Sequence, residues 1–297
     1  MTTATSSLLV SVRTKMSLHV PRKVNGLLEG EYTSLHKGRS MDFDDLREYI
    51  RGDDVKDVDW KASARSGSIL LKRYVAVRKH NVLVVVDTGR SMSARAAGGG
   101  AKRDVAVMAA GVLGSIAVQH GDLVGMLAGD AAGVVRAPQR ESDAHLEQIL
   151  RCIHSRIDGA GAPSDLVGLL EAVRRSIARR MTLLIVTDDA PLTAAHRAIL
   201  RRLRVQHEIL WLTINDTVLV DPALAAADLV DVAGGRLPAA LRDDPQLRGE
   251  YAAGVRDAAD RRAVTMRELG IVAEDIGREA DVIPSVLRLL GRTRHAV

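Results

Sequence analysis

Residues 82–93, Val-Leu-Val-Val-Val-Asp-Thr-Gly-Arg-Ser-Met-Ser, set one carboxylate and several hydroxyls at the end of an apolar run. Val82 to Val86 reads as a strand buried on both faces. Asp87 ends it, and Gly89, Ser91 and Ser93 follow at alternate positions. That places short oxygen ligands on a tight loop at the carboxyl end of a central parallel strand, where open α/β sheets bind ligands. Oxygen donors converging on one point suit a hard divalent cation such as Mg²⁺. The same residues also read as a strand followed by an ordinary turn.

The elements that must position this loop follow from the chain around it. From Asn81 onward, strands and helices alternate. Strands are expected at 82–86, 123–128, 182–187, 208–214 and 271–273, with a short edge strand at Val134-Val135. Helices are expected at 102–119, 142–156, from Ser164 or Asp165 to 179, 193–203, 245–269 and 282–290. The pattern implies a doubly wound, mainly parallel α/β sheet. Two more oxygen sources then reach the rim that Asp87 faces. Ser164-Asp165 opens a helix after the Gly-rich loop 158–163, and Asp188-Asp189 follows a buried strand.

Ahead of this lies a different kind of sequence. Leu8 to Val20 alternates apolar and polar residues, which suggests one bent strand or two short ones, and Ser68 to Val77 reads as a strand. Between them, residues 36–67 mix both charge signs around Phe43, Tyr49 and Trp60. So dense a mixture predicts a partly buried network in which Arg47, Asp54, Asp59 and Arg65 pair around Trp60. The chain therefore divides into a β-rich N-terminal segment, 1–79, and an α/β domain, 80–297. Residues 216–244, with scattered Asp, Pro and Gly, are the least predictable.

Composition limits the function classes. The 297 residues are 46% hydrophobic and 27% charged, an ordinary globular balance. Two Trp, four Tyr and one Phe leave an aliphatic core and few platforms for stacking bases, which argues against single-stranded nucleic acid. The net charge of +5 is modest, and Arg clusters at 174–180 and 201–204 read as solvated helix faces. Cys152 is the only cysteine, which fits a reducing compartment. The N-terminal residues lack a basic stretch followed by an apolar one, and no run reaches the roughly 18 apolar residues of a spanning helix. A cytoplasmic protein without a membrane span is expected.

The oxygen-bearing loops resemble the metal-ion-dependent adhesion site of the von Willebrand factor A fold. That site takes an Asp-x-Ser-x-Ser loop, a Thr from a second loop and an Asp from a third. Asp87 and Ser91 match, Ser164 stands for the Thr, and Asp188 supplies the last carboxylate. Gly89 stands where the motif has its first Ser, so water must take that position if Mg²⁺ binds, and binding is expected to be weak or absent. On the same reasoning, Gly89→Ser is expected to restore a ligand.

The preceding stretch is similar to a bacterial family known as domain of unknown function 58. The similarity rests on Gly38-Arg39-Ser40-Met41-Asp42-Phe43, Leu46-Arg47-Glu48-Tyr49, Gly52-Asp53-Asp54 and Asp59-Trp60-Lys61-Ala62-Ser63-Ala64-Arg65, ahead of the Asp87 loop. It covers about residues 26–213. Many members carry two N-terminal membrane helices, which are not expected from the residues of this sequence. The resemblance implies a von Willebrand A-like, Rossmann-type domain and a MoxR-type AAA+ ATPase, or its protein client, as partner. An adaptor or chaperone-like role follows from it.

Enzyme readings find less support. A haloacid-dehalogenase phosphatase needs a second Asp two residues after the first, and that position is Gly89. Gly98-Gly99-Gly100-Ala101-Lys102-Arg103 lacks the Gly-Lys-Ser/Thr order of a phosphate loop. The nine His form no metal-ligand spacing and read as surface or capping residues. No G-x-S-x-G elbow supports a nucleophilic Ser. The leading expectation is a non-enzymatic interaction module. A Mg²⁺-dependent hydrolase at the same rim, or a structural protein with a dead metal site, are the alternatives.

Overall fold

A computed structural model describes residues 7–19, 41–50, 53–76, 79–219, 230–232, 234–236 and 244–293. Gly38, Arg39, Ser40 and Gly52 of the motif series lie outside the described residues, as does much of 216–244. By contacts, 1–35 and 81–297 form one unit and 36–80 a second. The N-terminal segment expected as one β-rich part is thus divided, and its first element belongs with the α/β unit.

That element is helix α1 (Leu8–His19), not the expected strand. Leu8, Leu9, Val12 and Met16 pack on the main core at helical spacing, while Val10 and Leu18, which made the sequence look alternating, are exposed. Its start is capped from outside. The Glu147 carboxylate accepts from the Leu8 and Leu9 N–H groups at 3.2 and 2.8 Å and from Ser7 Oγ at 3.0 Å. Arg13 adds a fork to Asp143 at 2.6 Å.

The second unit pairs β1 (Met41–Glu48) antiparallel with β2 (Leu70–Ala76) and holds the short helix α2 (Trp60–Ser66). Trp60 is 65% exposed, so it is not the buried centre that the sequence suggested for the charged residues. Asp59 caps α2 by accepting from the Lys61 and Ala62 N–H groups, and Asp54 caps a short turn through Lys56 N–H. Arg47 instead grips Asp53 through two 2.7 Å bonds, which hold that carboxyl below its usual range. Short acidic side chains satisfied local backbone donors before they could form a shared cluster.

In the larger unit, β3 (Asn81–Asp87), β4 (Leu123–Asp130), β5 (Gly133–Arg140), β6 (Thr182–Asp188), β7 (Glu208–Ile214) and β8 (Val272–Ile276) make one sheet. Its order is β5-β4-β3-β6-β7-β8, with every pair parallel except the edge pair β4–β5. This is a doubly wound, von Willebrand A-like and Rossmann-type order, and it turns direction between β3 and β6. The apolar runs bury both faces. Val82, Val84 and Val86 join one core with α1, α3 (Lys102–Gln119), α4 (Asp143–Arg156) and α8 (Val282–Thr293). Leu83 and Val85 join the other with α5 (Leu166–Ser176), α6 (Ala194–Gln206) and the end of α7 (Pro245–Glu268). Each fully buried Val or Leu contributes about 1.5–3 kcal/mol.

Helix α3 crosses the middle of one face and is buried from Val105 to Ala117. Its glycines allow close packing: a Cβ at Gly111 would lie 2.7 Å from Val12, and one at Gly114 2.5 Å from Leu146. Among the described residues no helix is long and apolar enough to cross a membrane.

Removing the shared cap by Glu147→Ala should lower the melting temperature by about 2–6 °C. Arg65→Ala, on an exposed side chain, should move it by no more than about 1 °C. Thermal denaturation of both variants checks this, and equal losses would contradict the assignment.

Candidate functional site

Asp87 ends β3 with 1% of its surface exposed. It sits at the direction change between β3 and β6, the crevice where doubly wound sheets bind ligands. The buried carboxylate is met by donors from three segments. Gly89 N–H donates to Oδ1 at 2.8 Å, and Ser164 Oγ donates to Oδ2. Thr187 Oγ1 approaches the same oxygen at 3.4 Å. Burial pushes the Asp87 pKa up to about 6, against the hydrogen bonds from Ser164 and Gly89, and the nearby charge of Asp188 adds to the rise.

The loop after Asp87 is pinned from both sides. Thr88 Oγ1 donates to Asp130 Oδ2 at 2.9 Å, and Arg90 N–H donates to the Ala162 carbonyl at 2.9 Å. The buried Met92 anchors the single turn Arg90–Ser93. These contacts draw the loop ahead of α5 onto Gly89. A Cβ at Gly89 would lie 2.4 Å from Ser164 Cα and 2.5 Å from its backbone nitrogen. Gly89 is therefore required by a close approach of two backbones, and its φ of −57° is open to any residue. The expectation that Gly89→Ser restores a ligand is corrected: backbone atoms of Ser164 already hold that space.

The structure brings Asp87, Ser164 and Asp188 to one rim, and Ser91 lies on the turn that follows Asp87. Asp87 and Ser164 touch. Asp188, 7% exposed at the end of β6, accepts from Ala190 N–H at 3.1 Å and lies near enough to raise Asp87. Ser91 Oγ is buried and has no hydrogen-bond partner among the described residues. Beside the rim opens a cavity of about 290 Å³ lined by Ser164, Asp165, Thr187, Asp188, Pro191 and His196.

Two contributors were missed in the sequence. Thr187 is a polar residue closing an apolar strand, a signal that was available. His196 caps α6 with Thr193, accepting Thr193 N–H on Nδ1 at 2.9 Å, and burial holds its pKa down against Asp165. Its neutral ring is committed to the helix start.

Chemically, the rim offers two carboxylates and two hydroxyls, all hard oxygens. Asp87 and Ser164 satisfy each other, so an ion must compete with both that hydrogen bond and the proton on Asp87. Two carboxylates are few for a protein cation site, and among the described residues no group of three or more His, Cys, Asp or Glu side chains gathers to hold a metal.

The family described as Protein of unknown function DUF58 matches residues 45–261, and the chain belongs to that family. An uncharacterized protein of Mycobacterium tuberculosis is 30% identical over 293 residues, covering 97% of this chain and 90% of that one. A structure of an aerotolerance-related membrane protein from Bacteroides fragilis is 14% identical, with a TM-score of 0.46 over 72% of this chain and 99% of that one. A von Willebrand factor type A structure from Catenulispora acidiphila is 10% identical, with a TM-score of 0.38 over 74% of this chain and 44% of that one.

The raised Asp87 pKa fixes the sign of a stability effect. The folded state holds a proton on Asp87 between about pH 4 and 6 that the unfolded state has lost, so stability present at low pH declines as pH rises through about 6. The decline is up to about 3 kcal/mol. Asp87→Asn keeps the shape without the charge. Without divalent ions it should melt several degrees above the unaltered protein at pH 7.5, and the gap should shrink at pH 5. Gly89→Ser should melt lower at both pH values. Calorimetric scans of the three proteins provide the check.

Proposed function

We propose that this DUF58 protein is a non-enzymatic interaction module whose Asp87 rim holds a divalent cation weakly and recruits an acidic side chain from a partner protein. The observation that carries this reading is the convergence of Asp87, Ser164 and Asp188 at the end of the central strand. A bound Mg²⁺ supplies a coordination position that a carboxylate from another chain can fill.

The chain's own residues do the rest. Asp87, once deprotonated, contributes the central charge. Ser164, which donates to Asp87 Oδ2, would hold the ion together with Asp87 and Asp188. Asp188 stays oriented by Ala190 N–H. The bond from Arg90 N–H to the Ala162 carbonyl holds the turn after Asp87 against the loop that leads to Ser164. His196, which lines the adjacent cavity, is engaged through Nδ1 in the cap of α6.

The partner follows from the resemblance of the motif series: a MoxR-type AAA+ ATPase or its client, met in the cytoplasm, with this chain as adaptor. A second reading, a structural role without metal, is favoured by the Ser164–Asp87 hydrogen bond, which satisfies the carboxylate without an ion.

Calorimetric titration with Mn²⁺ separates the two. The cation reading predicts measurable binding at pH 7.5 that weakens about tenfold at pH 5, as protons occupy Asp87. Binding should be lost in Asp87→Asn and Asp188→Asn. Absence of Mn²⁺ binding at pH 7.5 supports the structural role. Co-purification with a MoxR-type ATPase should be sensitive to chelator and to Asp188→Ala; a complex that survives both does not use this rim.

A further inference from the structure

At the amino ends of the strands, opposite the cation rim, the fold gathers arginines that the sequence spreads over separate segments. Stretches 174–180 and 201–208 hold seven arginines and one acidic residue, Glu208. The first stretch closes α5 and leads into β6, and the second closes α6 and leads into β7. These strands are parallel neighbours, so both helices end at the same edge of the sheet.

Hydrogen bonds join the two stretches into one surface. Gln206 Nε2 donates to the Ile177 carbonyl at 3.3 Å and also to the Ala178 carbonyl. Glu208 N–H donates to the Met181 carbonyl at 3.0 Å. Arg204 Nε donates to the Gly270 carbonyl at 3.0 Å, which adds the turn after α7. Arg179 donates to Asn81 Oδ1 at the start of β3 and to Gln139 Oε1 near the end of β5.

Little of this charge is neutralised. Arg174 pairs with Glu171 on its own helix. Arg179 and Arg204 spend their donors on neutral oxygens. Arg175, Arg201 and Arg202 are exposed and have no ion-pair partner among the described residues. Val205 stands beside them at 89% exposure, the most exposed large apolar side chain among the described residues.

We propose that this arginine-rich pole docks on the anionic surface of a lipid bilayer, with its guanidinium groups on headgroup phosphates and Val205 at the boundary between headgroups and acyl chains. A guanidinium is weakly hydrated and presents a fork of donors that matches phosphate. Basic residues near an anionic leaflet each add to binding, and an aliphatic side chain among them gains from the apolar boundary. That aliphatic side chain gains nothing from a nucleic-acid backbone or an acidic peptide. The charges also sit on two helix ends and a turn, not along one element that could follow a duplex groove. Asp87 lies at the other end of β3, about 20 Å away at the rise of a strand. A docked protein therefore keeps its cation rim turned away from the bilayer.

The test is co-sedimentation of the full chain with vesicles. Vesicles of phosphatidylcholine and phosphatidylglycerol in equal parts should bind it at low salt, and vesicles of phosphatidylcholine alone should not. Binding should fall about tenfold or more between about 0.05 M and about 0.5 M NaCl, as screening shortens. Arg201→Ala combined with Arg202→Ala should weaken it about tenfold or more, since each such charge carries roughly fivefold. Both side chains are exposed and unpaired, so the variant should fold as the unaltered protein does. Val205→Ser should weaken binding about threefold. Asp87→Asn should leave it unchanged, so the cation reading stands or falls separately. Absence of binding to the anionic vesicles, full binding by the double variant, or tighter binding to duplex DNA or polyglutamate than to the vesicles would each overturn the assignment. The lipid and salt comparisons need no variant.

Discussion

A carboxylate with 1% exposure at the end of the central strand governs this rim. Leaving such a group without hydrogen bonds costs several kcal/mol, so the surrounding chain has to bring donors to it. Gly89 N–H is supplied by the turn itself, Thr187 by the adjacent strand and Ser164 by a loop far away in sequence. The last of these requires two loops to meet backbone to backbone, which only a residue without a side chain at position 89 permits. The bond from Arg90 N–H to Ala162 and that from Thr88 to Asp130 keep the meeting in place.

The sheet order explains why the rim lies where it does. Because the chain turns direction between β3 and β6, the loops after these strands diverge and leave a crevice. Asp87 fills one side and the end of β6 the other. Neighbouring residues of an extended chain point to opposite sides. Asp188 lies beside Asp87, and Asp189, just past the strand, borders a larger recess beside α7.

Much of this was legible in the chain. Continuous β-branched and aliphatic runs at 82–86, 182–187 and 208–214 identified strands buried on both faces, and the alternation with helices identified the parallel sheet. Asp87, Ser91, Ser164 and Asp188 could be named because each ends a strand or opens a helix. What failed was non-local. Leu8–His19 reads as a strand until α4 offers Glu147 as its cap, and nothing in the local sequence announces that. Gly89 reads as a lost ligand until the approach of Ser164 shows it to be a packing requirement. The charged stretch around Trp60 suggested one network, whereas short acidic side chains were captured by the nearest backbone donors. Lys102, whose fully buried ammonium meets Asp216 from a distant loop, gave no sign of burial at all.

The account depends on Asp87 being a buried carboxylate that a divalent ion can reach. Titration of its side-chain carbon by ¹³C NMR measures this directly, with Asp87→Asn identifying the signal. The account predicts a pKa of about 6 without divalent ions and a clear downward displacement when Mg²⁺ is added. An ordinary value near 4, unmoved by Mg²⁺, would contradict it.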